Sequence, residues 1–345
     1  MATQFRSGND TVRRYWFVLP VFIAGLCAGY LFKTCRPADT GGLEEKIQVR
    51  QQGYRFISPL LECENSTGLI NVLIKSFKKE MSVLISAFYK SGEISDAVVY
   101  FRDLNNGPWY GFREQEKFRP ASFLKIPIAM AIYKAAEDDP AILKKRVMFS
   151  AEVKMPGDRV QTIIPPRKLE TGRDYTVEYL VEAMLRYSDN QAIFLLSRAF
   201  PNEYLFELYK HLGIEDDVLD KIDGQLSMRA YATFYRILFN ASYLSRKYSE
   251  KILFFLSESA YKNALAAGVP AGTAVAHKFG EGGALDAQRQ LQDCGIVYYP
   301  GRPYLLCVMA KGKNLKDLEK FIETISRFVY NNVNLSVKKE KIQVP

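Results

Sequence analysis

The stretch Pro120-Ala121-Ser122-Phe123-Leu124-Lys125 sets the reading of this 345-residue chain. A serine and a lysine three residues apart share one face if a helix starts near Ser122, with Cβ atoms about 5–6 Å apart. The unpaired amides and positive dipole of such a helix start favour a neutral lysine and a developing oxyanion. Taken alone, Ser-x-x-Lys is a weak signal, because a capping serine beside a solvated lysine produces it too. Composition adds weight. The chain holds two histidines, His211 and His277, so an H-E-x-x-H helix and a His-rich metal centre are excluded. A serine nucleophile here needs another base, and lysine is the usual substitute.

Working outward, the spacing of Leu69, Ile70, Leu73, Ile74, Phe77, Met81, Leu84, Ile85 and Phe88 predicts a helix running to about Lys90. Residues 96–103 read as a strand, Asn105-Asn106-Gly107 as a turn and residues 109–112 as the partner strand. Helical stretches are expected at 122–136, 176–187, 189–212 and 227–261. Three strands follow at 273–279, 290–299 and 303–310, then a helix over about 315–330. Strands at both ends of a helical middle imply one antiparallel sheet whose halves lie far apart in sequence, an α+β domain over residues 66–335.

Two further segments complete the pattern. Tyr187-Ser188-Asp189-Asn190 falls between two helical stretches, and His277-Lys278-Phe279-Gly280 ends an expected strand. Ser-x-x-Lys, Ser-Asp-Asn and Lys-x-Gly in this order resemble the class A β-lactamase and penicillin-binding protein superfamily, and the resemblance runs from about residue 65 to 332. It implies a β-lactamase/D,D-peptidase-like sheet flanked by helices with a helical insert. It further implies Ser122 as the acylated nucleophile, Lys125 as the lysine that deprotonates it, and Ser188 as the relay to the leaving nitrogen. Asn190 would hold the substrate amide and brace Lys125, and Lys278 would supply positive potential. The backbone amides of Ser122 and Glu281 would form the oxyanion hole, and Gly280 would let the strand approach the substrate.

The departures from that family are specific. Phe279, expected with Gly280 to line the substrate site, stands where a threonine or serine would contact the substrate carboxylate. Cys294 stands where many class A enzymes place a carboxylate-binding arginine, so Arg289 is the candidate to compensate. No Glu-x-x-Leu-Asn occurs, so the loop carrying the deacylating glutamate is read as shortened or lost. Glu215, Asp216, Asp217, Asp220 and Asp223 are substitutes by proximity alone. Cys294 and Cys307 lie symmetrically about Pro300-Gly301, and two small buried residues are favoured over a cross-strand disulfide.

The net charge of +9, from 47 basic and 38 acidic residues, is scattered rather than striped, which favours a solvated surface, or attraction to an anionic membrane or wall, over nucleic-acid binding. Residues 15–32 carry no charge, are flanked by Arg13-Arg14 and Lys33, and span roughly 27 Å as a helix. They are read as an uncleaved transmembrane signal anchor, with a cytoplasmic tail over 1–14, a tether over 33–65 and a basic tail over 336–345. The expectation is a single-pass protein of a bacterial membrane with its catalytic domain outside the cytoplasm. Its expected ligands are a β-lactam or a peptidoglycan stem peptide, without cofactor or metal. The alternatives are a D,D-peptidase acting on acyl-D-Ala-D-Ala, and a non-catalytic wall-binding or sensor module.

Overall fold

In the segment read as a tether, β1 (Gln48–Arg50) and β2 (Leu60–Cys63) pair antiparallel. The computed structural model describes residues 48–50, 53–63, 70–105, 109–151, 162–200, 203–214, 224–283 and 288–343, all within one unit. The expected first helix is α1 (Ile70–Ser91), which buries Met81, Ile85 and Phe88 at helical spacing. The expected hairpin is β3 (Asp96–Asp103) with β4 (Trp109–Phe112). β5 (Lys117–Phe118) leads into a 3₁₀ turn over 121–124 and then α2 (Lys125–Asp138). A hairpin of β6 (Arg146–Phe149) and β7 (Arg173–Thr176) precedes α3 (Val177–Arg186).

Two expected long helices are each divided. The stretch 189–212 becomes α4 (Asn190–Ala199) and α5 (Glu203–His211). Phe200 is extended because it precedes Pro201, which disfavours the helical conformation at the residue before it. β8 (Leu226–Ser227) pairs with β5. The stretch 227–261 becomes α6 (Met228–Asn240) and α7 (Arg246–Ser257), with Ala241 at φ +48° ending the first in a left-handed cap.

The chain closes with β9 (Val275–Gly282), β10 (Arg289–Val297), β11 (Tyr304–Gly312) and α8 (Leu315–Gln343), which runs past the expected end near residue 330. The five long strands form one antiparallel sheet in the order β4-β3-β11-β10-β9, so the two ends of the sequence meet at β3 and β11. Side chains alternate across it. Val99, Leu306 and Val308 pack beneath α1 and α8, while Val98, Leu305 and Met309 face the core shared with α2, α3, α6 and α7. The α+β reading therefore holds. β9 is an edge strand, and the 3₁₀ turn carrying Ser122 packs against it.

Cys294 and Cys307 pair in register on β10 and β11, and their sulfurs are joined. The sequence reading favoured two separate small residues. Position about a turn is symmetric in both cases, and only register brings the two side chains to the same face. The run 15–32, the tail 1–14 and Glu215, Asp216, Asp217, Asp220 and Asp223 lie outside the described residues. Among the described residues, no helix is long and apolar enough to cross a membrane.

Candidate active site

Ser122 sits in the second position of the 3₁₀ turn, half-buried, and Lys125 opens α2 fully buried. A 3₁₀ turn eclipses side chains at i and i+3, so it aligns the two more closely than an α-helix would. The turn is held from several sides. Tyr231 on α6 donates its hydroxyl to the Phe123 carbonyl at 3.1 Å and stacks on the Phe123 ring at 4.0 Å. On β10, Gln292 donates to the Pro120 carbonyl at 2.5 Å and Gln290 to that of Arg119 at 3.1 Å. Ala121, just before the nucleophile, has φ +47°.

Ser188 ends the α3 turn at φ +56°, a conformation costing about 1–3 kcal/mol for a non-glycine residue. The geometry gives that strain a use. It turns both the carbonyl and the hydroxyl of Ser188 toward Lys125, whose Nζ donates to them at 2.7 and 3.1 Å and to Asn190 Oδ1 at 2.7 Å. Asp189 caps α4 by accepting from the Ala192 amide at 2.9 Å, which fixes Asn190 at the helix start.

From the edge strand, Lys278 Nζ donates to Ser188 Oγ at 2.8 Å and to the Phe279 carbonyl at 2.9 Å. Ser188 Oγ in turn donates to Ser122 Oγ at 3.4 Å. The structure thus brings Ser122, Lys125, Ser188, Asn190 and Lys278 into one hydrogen-bonded cluster. Both lysines are buried and meet on a single hydroxyl. Burial pushes Lys125 down to about 7, against the charge of Asp189. Burial and the nearby charge of Lys125 push Lys278 well below the ordinary lysine range, opposed by Asp293. Two cations sharing one oxygen in a dry site repel, so each lysine favours the neutral form of the other.

Gly280 is needed for approach. A Cβ there would lie 2.9 Å from Gln292 Nε2 and 3.3 Å from the Pro120 carbonyl. The same closeness sets the β9 segment ending in Glu281 against the turn that carries Ser122.

Phe279 and Arg289 do not stand open to a ligand, contrary to the expectation for both. Alternation along β9 turns Phe279 to the far face, where its ring lies 4.2 Å from that of Tyr261. Its ring is also 4.2 Å from Lys278 Nζ. Arg289 donates to the Glu281 carboxylate at 2.7 Å and to Thr162 Oγ1 at 2.6 Å. That carboxylate also accepts the amides of Thr162 and Ile163 at 3.1 and 3.2 Å and the Thr162 hydroxyl. A few residues on, the Arg167 guanidinium lies 5.8 Å over the Tyr187 ring. The segment from Thr162 to Arg167 therefore bridges the two walls that carry Lys278 and Ser188. Sequence spacing gave no sign of this strap, nor of the roles of Gln290, Gln292 and Tyr231, since each acts across a long separation. His277, next to Lys278 on β9, faces away from the site and binds Asp293 through Nδ1 at 2.9 Å.

The sequence profile of the β-lactamase enzyme family matches residues 76–333. Among solved structures, a class A β-lactamase from Mycobacterium abscessus is 22% identical, with a TM-score of 0.61 over 73% of this chain and 98% of that one. A β-lactamase from Chitinophaga pinensis is 18% identical, with a TM-score of 0.64 over 74% and 98%. A point mutant of PBP-A, solved as its acyl-enzyme with penicillin G, is 22% identical, with a TM-score of 0.60 over 73% and 95%. No curated protein matches the chain. Those structures share its fold, and with three quarters of its length matched by that profile the chain belongs to the β-lactamase enzyme family.

Proposed function

We propose that this protein is a membrane-anchored, extracytoplasmic serine hydrolase that opens a β-lactam or a related cell-wall amide through an ester on Ser122. One observation carries the reading: Ser122 Oγ is linked through Ser188 Oγ to two buried lysines, one of them pushed down to about 7. Ser122 attacks the carbonyl while its proton passes along Ser188 toward a neutral lysine. The Ser122 and Glu281 amides receive the oxyanion, and losing one such donor typically costs about 10²–10³ in rate. Ser188 then returns the proton to the leaving nitrogen, and Asn190 holds the amide beside it. The penicillin acyl-enzyme of the PBP-A mutant, on the same fold, supports this direction. Incubating the full chain with a fluorescent penicillin should label it covalently, and Ser122→Ala should abolish the label. Equal labelling of the alanine variant would end the proposal.

The absence of a Glu-x-x-Leu-Asn sequence favours a second reading, a D,D-peptidase on acyl-D-Ala-D-Ala. A silent wall-binding module is the third. The intact hydrogen-bonded cluster argues against it, since a silent site has no need of two buried lysines.

The uncharged run 15–32 and its Arg13-Arg14 flank motivate the anchor. Protease added to sealed cells should digest the large domain. Full protection of that domain until the cells are lysed would exclude the external placement.

A further inference from the structure

A second polar feature lies on the other side of α6. Arg229 and Arg236 are seven residues apart, close to two full turns, and so share one face of that helix. Tyr231 and Tyr235 occupy the opposite face, bonded to the Phe123 and Cys294 carbonyls. The body of the helix therefore stands between the two arginines and the nucleophile turn.

α6 packs on β3, where Arg102 is the register partner of Trp109 on β4. Alternation along β3 puts Arg102 on the same face as Val98 and Tyr100, the face covered by α6. Trp109 touches both β3 and α6. Its ring stacks on Tyr100 at 6.1 Å, and the Arg229 guanidinium lies 4.7 Å from its centroid. Cation–π contact fixes the Arg229 guanidinium over the ring while the residue stays exposed to solvent. Arg236, half-buried, is held below its ordinary pKa by burial and by the charges of Arg102 and Arg229, with Tyr100 opposing.

Three guanidiniums therefore converge, and among the described residues none has a carboxylate within ion-pair distance. Other arginines of this protein do: Arg113, Arg186, Arg289, Arg302 and Arg327 each hold an aspartate or a glutamate. Asp103, next to Arg102 in sequence, is taken by Arg302. Like charges gathered without a counter-charge, with Arg102 and Arg236 half-buried and Arg229 exposed, repel one another, and an anion that joins them relieves the repulsion. A carboxylate brings one charge. A phosphate brings up to two, with oxygens that match forked guanidinium donors from several directions.

We infer that Arg102, Arg229 and Arg236, with Trp109 as their support, form a binding site for a phosphate group, separate from the Ser122 cluster. The group belongs either to a soluble or wall-borne phosphate chain or to a lipid headgroup. Either source would hold the domain on an anionic surface while the serine site stays open.

The test uses the full chain in neutral detergent at 0.15 M salt with two probes, sodium tripolyphosphate and a short-chain phosphatidylglycerol, followed by calorimetry. Saturable binding of at least one probe below millimolar concentration is expected. Arg229→Gln and Arg236→Gln should each weaken it at least tenfold, while Lys262→Gln, which removes the same charge elsewhere, should leave it unchanged. The probe that binds identifies the source. Melting of the ligand-free variants guards against misfolding: relief of like-charge repulsion should leave their midpoints at or above that of the parent. Binding of neither probe, or equal weakening by Lys262→Gln, overturns the site.

Discussion

Lys125→Arg should abolish acylation of Ser122, with a loss of about 10³-fold or more in the second-order rate with a β-lactam. Positioned proton transfer is worth about 10²–10⁴ in rate, and arginine cannot release its proton at any working pH. The substitution keeps a cation in the same place, so it separates a base from a fixed charge. In the parent, burial pushes Lys125 down to about 7. A base acts only when deprotonated, so acylation should rise with pH through an ionisation near 7 rather than near 10.4, the value for free lysine. Because both lysines reach Ser188 Oγ, the measured ionisation belongs to the pair. Stability carries the same signature. Between pH 7 and about 10.4 an unfolded lysine holds a proton that folded Lys125 has lost. The unfolded state binds more protons there, so stability rises with pH by about 1.4 kcal/mol per unit for this group. Lys125→Met should flatten that slope while leaving the chain unable to acylate. An arginine variant that acylates at near the parent rate would remove Lys125 from the role of base.

How far this site was legible in the sequence follows from what each residue depends on. Ser122, Lys125, Ser188, Asn190 and Lys278 were readable because three short motifs, each weak alone, stand in an order that resembles one superfamily, and each motif is local: a single 3₁₀ turn, the start of one helix and a strand end. The hairpin at 96–112 and the final strands were readable from alternation and turn residues. Helix ends were harder, since Ala241 in a left-handed cap carries no sequence signal that glycine or asparagine would have given. Contacts across 100 residues or more were out of reach. Gln292 meets Pro120, Glu281 meets Thr162, and Tyr231 meets Phe123 only because the sheet and α6 converge on the turn. Phe279 was misjudged for a different reason. Its neighbours were read as a linear motif, whereas strand alternation sends the residue between Lys278 and Gly280 to the far face.

A penicillin should acylate Ser122 and then stay. Acylation requires a nucleophile, a base, a proton relay and an oxyanion hole, and the cluster around Ser188 supplies side chains for the first three. Hydrolysis of the ester requires in addition a base that holds water against the acyl carbonyl. The two buried aspartates nearest the lysines are already engaged. Asp189 caps α4 through the Ala192 amide, and Asp293 holds His277 on the far face of the sheet together with the Leu265 amide. Glu281, although beside the site, spends its carboxylate on Arg289 and the 162–163 amides. The tethered leaving nitrogen of an opened β-lactam also remains in the space that water would need. Turnover should therefore show a burst of about one equivalent and then a steady state slower by about 10²–10⁴, the range that a positioned base is worth. Intact-protein mass spectrometry after minutes of incubation should find one adduct per chain, absent from Ser122→Ala. A linear acyl-D-Ala-D-Ala peptide loses its leaving group on acylation, so its ester should turn over faster than that of the penicillin. Rapid, burst-free penicillin hydrolysis would contradict this. It would assign the missing base to the carboxylates between Glu215 and Asp223, where single Asp→Asn and Glu→Gln replacements would then restore the burst.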